Sequence, residues 1–576
     1  MKKAERKENN WIVILGIAVL ASLPLLSKGI YRGHDIAFHL LRIEGIAEGL
    51  KRLCFPVRMQ SLWLEGYGYP VSIYYGDLLL YFPAMLRLLG IPVITAYKIY
   101  VLFVNIATTA TAYFCFGHIW SERKIAVVVS MAYVTSAYRL VDIYVRAAVG
   151  EYSAMLFFPF IALSIFQIYK EKENDKTERH KNAFWLCLGM TGLLESHILS
   201  TEMMIFMLIL VCIMLWKRTF RKTVLLTYLS AIADTLFLNL YFIVPFLDYY
   251  SSMCANVNAD MRQIKQIQSS GAYPLQYIGF FRNIFGLDSI HIEERMQLSP
   301  GPLLLLALIP GFIIHNKKKN KKVSIYLFFS LFILFFSSNL FPWDFLAEHF
   351  IVGNMLAQVQ FPWRYLAIAV LFLTLLLGEV LQEFSVRYQS KMTGWLMIMT
   401  GIAVFMTCHF TENYLKNTER IYYSKAEEMN SYEVGAGEEF LLTGTDITAL
   451  SGNISGNFKT ADLLKREGTH MELFVVMEDA GGYVELPMFA YKGYCVTDEQ
   501  GTEYIISAGS NNRLRFEMPV GYTGKIYVDF RVPWYWHVSD VISLVSLMGC
   551  LYWMHKVRIF SGQTGKTSGY EEKSFF

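Results

Sequence analysis

Between Tyr31 and Ile43 the chain reads Tyr-Arg-Gly-His-Asp-Ile-Ala-Phe-His-Leu-Leu-Arg-Ile, and three of its polar side chains are spaced to act together. On a helix, Asp35, His39 and Arg42 fall at i, i+4 and i+7 and share one face. Ile36, Leu40, Ile43, Ala47 and Leu50 form the adjoining apolar stripe. That pattern suits a helix lying in a membrane interface with a charged edge turned toward a pocket. A carboxylate beside an imidazole suits general-base chemistry, one group taking a proton while the other orients it. His34 offers a second imidazole next to Asp35. A solvated amphipathic helix with a local ion pair has the same spacing.

Arginines supply a second kind of chemistry. Lys28, Arg32, Arg42, Lys51, Arg52 and Arg58 crowd one stretch. The planar fork of arginine matches phosphate, so a phosphate-bearing lipid or sugar carrier, or anionic headgroups, would offset this charge. Tyr74-Tyr75-Gly76-Asp77 leads into the apolar stretch 78–89, which is too short to span a bilayer and carries Pro83 and Arg87. It reads as a second interfacial helix, with Asp77 as a pocket group or an N-terminal cap. Arg139, Asp142 and Arg146 lie at i, i+3 and i+7, followed by Glu151; they either line a pocket or pair with one another. Glu195-Ser196-His197 and Glu202 mark a helical hairpin with almost no loop, where ionisable groups usually face a cavity. Gln360-Phe361-Pro362-Trp363-Arg364 brings one more arginine to the end of an apolar run, as a ligand or an interface anchor. Asp234 and Asn239 fall inside a run and suit hydrogen bonds between helices.

The elements that must position these groups are set by lipid. Only 17% of the 576 residues are charged and 54% are hydrophobic, a balance that makes a bilayer the main solvent. A net charge of +4 gives no footprint for nucleic acid. Apolar runs near 11–26, 95–120, 125–138, 153–169, 182–195, 202–216, 223–246, 300–314, 323–340, 365–381, 393–410 and 537–555 predict about twelve transmembrane helices. The first follows Lys2, Lys3, Arg6 and Lys7 like a signal peptide, lacks a small-residue cleavage site, and reads as a retained helix. Basic residues at Arg123-Lys124, 170–181, 217–222, 317–322, 387–391, and Lys556 with Arg558 alternate with the other connections. By the positive-inside rule both termini are then cytoplasmic in a multi-pass protein of the cell membrane.

The expected organisation is a helical membrane domain over 1–410, including an outer loop 27–94. An extracytoplasmic β-rich domain over 411–536, a last transmembrane helix over 537–558 and a cytoplasmic tail over 559–576 follow. In the β-rich part, His470 to Glu478, the turn Asp479-Ala480-Gly481-Gly482 and Tyr483 to Tyr491 read as a hairpin. Strands at 501–508, 513–518 and 525–532 then predict a small β-sandwich. The eight cysteines show no metal spacing, and Cys54, Cys254 and Cys495 no spacing that supports a disulfide.

The motifs from Gly33-His34-Asp35 through Tyr75-Gly76-Asp77, the segment 139–152, Ser196-His197 and 360–364 resemble bacterial membrane proteins named 6-pyruvoyl-tetrahydropterin-synthase-related. Ala490-Tyr491-Lys492-Gly493-Tyr494 and Val532-Pro533-Trp534 are similar to the outer domain of YfhO-like proteins. The family name would imply pterin chemistry on zinc, yet no three-histidine cluster is visible.

The layout resembles the GT-C glycosyltransferases, and that resemblance implies a polyprenyl-phosphate-linked sugar as donor and a glycan, glycolipid or protein as acceptor, at a membrane lipid surface. It implies Asp35 as the acidic residue of the first outer loop, assisted by His39 or His34. Arg139, Arg146 and Arg364 would hold the carrier phosphate, and Arg32, Arg42, Asp77, Asp142, Glu151 and His197 would complete the carrier site. Asp35 departs from the Asp-x-Asp form of that class, so no metal and no further cofactor is assigned. A lipid or polysaccharide transporter and a non-catalytic envelope assembly protein are the alternatives.

Overall fold

The computed structural model describes residues 10–557 except 121, 171–175, 261–266, 279–295, 319, 417–418, 436 and 480. The expected tail 559–576, Arg558, the first basic flank of Lys2, Lys3, Arg6 and Lys7, and part of the 170–181 run lie outside the described residues. Each of the twelve apolar runs coincides with helix. Among the described residues six helices are long and apolar enough to cross a membrane: Val93–Ile119, Val149–Lys170, Lys222–Ser252, Pro362–Arg387, Gln389–Lys416 and Trp534–Lys556. Arg123–Val134 with Ala137–Arg146 makes a seventh if this pair, bent by 43°, is one span. Length and composition thus give six or seven spans. The other runs form shorter or more polar helices, among them Asn10–Ala21, Lys176–Leu194 and Ile198–Met214.

Burial sorts the long helices. Pro362–Arg387 is 94% buried over its apolar window and runs through the middle of the bundle. Trp534–Lys556 is only 11% buried and packs along Lys222–Ser252 at the periphery. Between Gln389–Lys416 and this last helix lies a β-region of two antiparallel sheets. Strands β1 (Ile30–Tyr31) and β2 (Arg420–Ile421) pair first and tie loop 27–94 to its start. One larger sheet has the order β3-β6-β10-β9, from Ser455–Gly456, Gly482–Phe489, Arg513–Met518 and Ile506–Ala508. The other has the order β4-β5-β11-β7-β8, from Phe458–Glu467, His470–Met477, Thr523–Phe530, Tyr494–Asp498 and Glu503–Tyr504.

The expected hairpin between His470 and Tyr491 does not form. Both strands exist, yet β5 pairs with β4 and β11, whereas β6 pairs with β3 and β10. The chain therefore changes sheets between β5 and β6. The cause is burial: β5 alternates half-buried and buried residues, turning Met471, Leu473, Val475 and Met477 inward as one wall of a sandwich should. β6 is buried on both faces from Val484 onward, because loop 27–94 covers its second face. There the Phe489 N–H donates to the Tyr67 carbonyl at 3.2 Å and the two rings meet at 4.9 Å.

Loop 27–94 thus lies between the bundle and the β-region. Its helix Ile36–Lys51 is largely covered by protein: Ile36 and His39 to Ala47 are all buried. The stretch after Asp77 forms a 3₁₀ turn, Leu78–Leu80, and the helix Tyr81–Leu88. All eight cysteines are free.

Candidate functional site

The loop before Ile36–Lys51 is pressed against the end of the bent pair. The Asp35 N–H donates to the Arg146 carbonyl at 2.9 Å. Gly33 sits so close to the Val145 carbonyl that a side chain would meet it at 2.5 Å. The opposing segment, Asp142–Arg146, is one turn of π-helix ending at Ala147, whose φ of +57° is left-handed. Such turns break the regular ladder and re-aim side chains, often at functional sites. Asp35 itself is half-buried and makes no side-chain cap bond to its helix.

Behind it stands a buried charge network. Arg146 donates to Asp142 and, at 2.8 Å, to Glu151 Oε2. Tyr138 donates to the other Glu151 oxygen, and Arg364 Nε lies 3.9 Å from Glu151. The Arg146 guanidinium also rests over the Trp363 ring at 4.4 Å. Two arginines thus meet two carboxylates. Arg364 is half-buried and, though its Nη1 donates to Val359 and Gln360, its Nε has no hydrogen-bond partner.

A second network holds the helix Ile36–Lys51. Arg42 donates to the Gly76 carbonyl at 2.8 Å and to Asp77 Oδ1 at 2.5 Å, and faces His39 Nδ1 at 3.4 Å. Asp77 is therefore an ion-pair partner; it makes no side-chain cap bond. Tyr75 joins the two networks. Its ring lies under Arg42 at 4.0 Å and within 5.8 Å of His197, and its hydroxyl reaches the Cα of Gly150, where no side chain would fit. Asp35, Arg364 and Glu151 all bear electrostatically on that hydroxyl, which burial pushes up to about 12.

Both imidazoles are held neutral. Burial first, then Arg42 and His197, brings His39 well below its ordinary value. Burial brings His197 down to about 3, while its Nδ1 accepts from Ser200 as a helix cap. A neutral buried imidazole stabilises the fold above about pH 6.5, and that contribution is lost as pH falls toward the folded pKa, since the unfolded chain binds the extra proton. The melting temperature is expected to drop as pH is lowered from about 6.5 to about 4, and to drop less steeply in His197→Asn, whose amide oxygen keeps the cap. Equal slopes in thermal scans of the two proteins would contradict this.

The remaining sequence candidates lie elsewhere. Arg139 is fully buried and donates to the Val134 carbonyl and Thr108 Oγ1, both at 3.1 Å, inside the bundle. Arg32 and His34 are exposed on the strand-to-helix turn. Much of the basic crowding in loop 27–94 is answered within the chain: Arg42 by Asp77, Arg52 by Glu48, and Arg58 by Asp540 at 2.7 Å. Among the described residues no three or more His, Cys, Asp or Glu side chains are grouped to hold a metal.

No protein-family model matches the chain. A curated protein of Lactococcus lactis subsp. cremoris (strain MG1363), described as an uncharacterized protein, is 21% identical over 608 residues and is covered over 94% of both chains. Two solved structures of the Archaeoglobus fulgidus oligosaccharyltransferase are similar at 12% identity. The apo form matches over 72% of this chain and 57% of that one, with a TM-score of 0.41. The complex with an inhibitory peptide and a dolichol-phosphate matches over 73% and 57%, with a TM-score of 0.39. This chain spans a little over half the length of those structures.

Three site groups escaped the sequence reading. Tyr75 and Tyr138 sit among residues whose spacing drew notice, but nothing in spacing says that their hydroxyls turn inward. Glu439, from the β-region, stands where the charges of Asp35 and Arg364 act on it. Its neighbourhood, Gly435-Ala436-Gly437-Glu438-Glu439, reads only as a turn.

Proposed function

We propose that the chain is a membrane glycosyltransferase of GT-C type, moving a sugar from a polyprenyl-phosphate carrier to a cell-envelope acceptor on the outer face of the bacterial cell membrane. The observation that carries this reading is the half-exposed Asp35, bonded through its N–H to the Arg146 carbonyl, beside the Arg146–Glu151–Arg364 network. The shorter helices complete twelve spans, which leaves loop 27–94 and region 411–536 outside and both termini in the cytoplasm.

In the proposed step an acceptor hydroxyl oxygen bonds to the anomeric carbon. The bond from that carbon to the carrier phosphate oxygen breaks, and the phosphate leaves with the electron pair. Asp35 takes the hydroxyl proton. Arg364, with donor capacity to spare, faces the developing phosphate charge, and Arg146, already engaged by two carboxylates, holds Glu151 and thereby Arg364 in place. His39 serves Arg42 and so the Gly76-Asp77 turn.

Undecaprenyl phosphate is expected to raise the melting temperature of the purified protein, as any ligand of the folded state does. Arg364→Met should weaken its binding about 10- to 100-fold, the worth of a charged hydrogen bond. Equal shifts in both proteins would remove the phosphate role. Translocation of a fluorescent polyprenyl phosphate across proteoliposomes, unchanged by Asp35→Asn, would favour transport over transfer.

A further inference from the structure

The β-region does more than cover the bundle: its segment 437–443 forms a strap seated against loop 27–94 beside the candidate site. The strap is pinned along its length. Val257 N–H donates to the Glu439 carbonyl at 2.7 Å, Asn256 N–H to Leu441 at 2.9 Å, and Thr443 N–H to the Cys254 carbonyl at 2.8 Å. Tyr69 donates to the Val434 carbonyl at 3.1 Å and accepts from Phe440 N–H at 3.2 Å, while Tyr491 donates to the Phe440 carbonyl at 3.0 Å. The Phe440 ring stacks on Tyr74 at 4.9 Å, with the planes 4° apart. Tyr74 immediately precedes Tyr75, so the strap is seated next to the residue that joins the two site networks.

Between the pinned Val434 and Phe440, the Glu439 carboxylate is folded against Gly435 and Gly437; a side chain on Gly437 would lie 2.7 Å from Glu439 Oε1. It is half-buried and within the electrostatic reach of Asp35 and Arg364. Of the charges gathered there, Arg146 and Arg364 are matched by Asp142 and Glu151, and Arg42 by Asp77. Among the described residues neither Asp35 nor Glu439 makes an ion pair within 4 Å, unlike Asp142, Glu151 and Asp77. Burial, and then the Asp35 charge, raise the Glu439 carboxyl above the ordinary carboxylate range, as expected for like charges drawn together.

We infer that Glu439 is an acceptor-binding residue, which receives a hydroxyl- or amine-bearing acceptor and presents its nucleophile to Asp35. A carboxylate repels the carrier phosphate and accepts hydrogen bonds from hydroxyl or ammonium groups, which fixes the chemical class. The strap belongs to the β-region and is seated beside Tyr74, so on this reading the acceptor is received from that region. This inference rests on the transferase reading.

Membranes from a gene-deleted strain, expressing full-length variants, provide the test. They are charged with nucleotide-linked [14C]glucose and [14C]N-acetylglucosamine to label the lipid-phosphate sugars, and wall polymer from the same deletion strain is titrated as acceptor. Glu439→Gln is expected to raise the acceptor KM about tenfold with kcat within about threefold of wild type. Glu439→Asp should recover part of that loss. Unchanged acceptor KM in both variants overturns the inference while transfer by the wild type keeps the reading intact. A fall in kcat and melting temperature together, with KM unmoved, assigns Glu439 a structural role and also overturns it. No transfer of either label by the wild type removes the reading itself.

Discussion

Asp35→Asn is expected to reduce sugar transfer at least about 100-fold, the lower range for losing a positioned general base. Asparagine keeps the size and polarity of the side chain but cannot take the acceptor proton. Little else should change. Asp35 makes no side-chain cap bond, and its backbone bond to Arg146 is indifferent to the substitution. The variant should therefore accumulate to wild-type levels and melt within about a degree of wild type, a surface change being worth under about 0.5 kcal/mol. A steady-state rate in membranes, normalised to protein by immunoblot, separates the two effects. If rate and yield fall together, Asp35 is structural.

Arg146→Met should act on the fold. Arg146 is 4% exposed and lies between Asp142 and Glu151, both buried. Methionine fills most of the volume and leaves two buried carboxylates facing each other with only Arg364 nearby. Breaking a buried ion pair by deleting one partner costs about 3–5 kcal/mol, a large share of the stability of an ordinary domain. Loss of yield and a collapsed size-exclusion profile in detergent are expected. The triple variant Arg146→Met, Asp142→Asn, Glu151→Gln should regain monodispersity, since neutral amides no longer need the guanidinium. Regained assembly without regained activity would place the network under the site as its support. An Arg146→Met protein as stable as wild type would show that the pairs carry no such load.

How much of this was legible in sequence depends on the range of the interaction. The apolar runs announced helices because a bilayer-length stretch has few other ways to satisfy its backbone. The grouping of Asp142, Arg146 and Glu151 was visible because they are near neighbours. The same spacing argument drew in Arg139, although a side chain three residues from Asp142 can leave on the other side of a bent helix and bond Thr108. Arg42 with Asp77 and Arg58 with Asp540 are separated by 35 and 482 residues, so the basic surplus of loop 27–94 looked uncompensated when much of it was not. The β-strands were readable from alternation, but which sheet each joins is decided by what covers its second face, and Tyr67 covering Phe489 is a contact between regions. Glu439 carried no signal at all. Its place depends on a strap held by Tyr69, Tyr74 and Val257, none of them near it in sequence.

The most direct measurement is the sugar composition of the cell envelope in a strain carrying Asp35→Asn at the native locus, beside wild type and a full deletion. The account predicts that the variant, present at normal abundance, lacks the same sugar substituent as the deletion. An envelope indistinguishable from wild type, while the deletion loses that sugar, would contradict it.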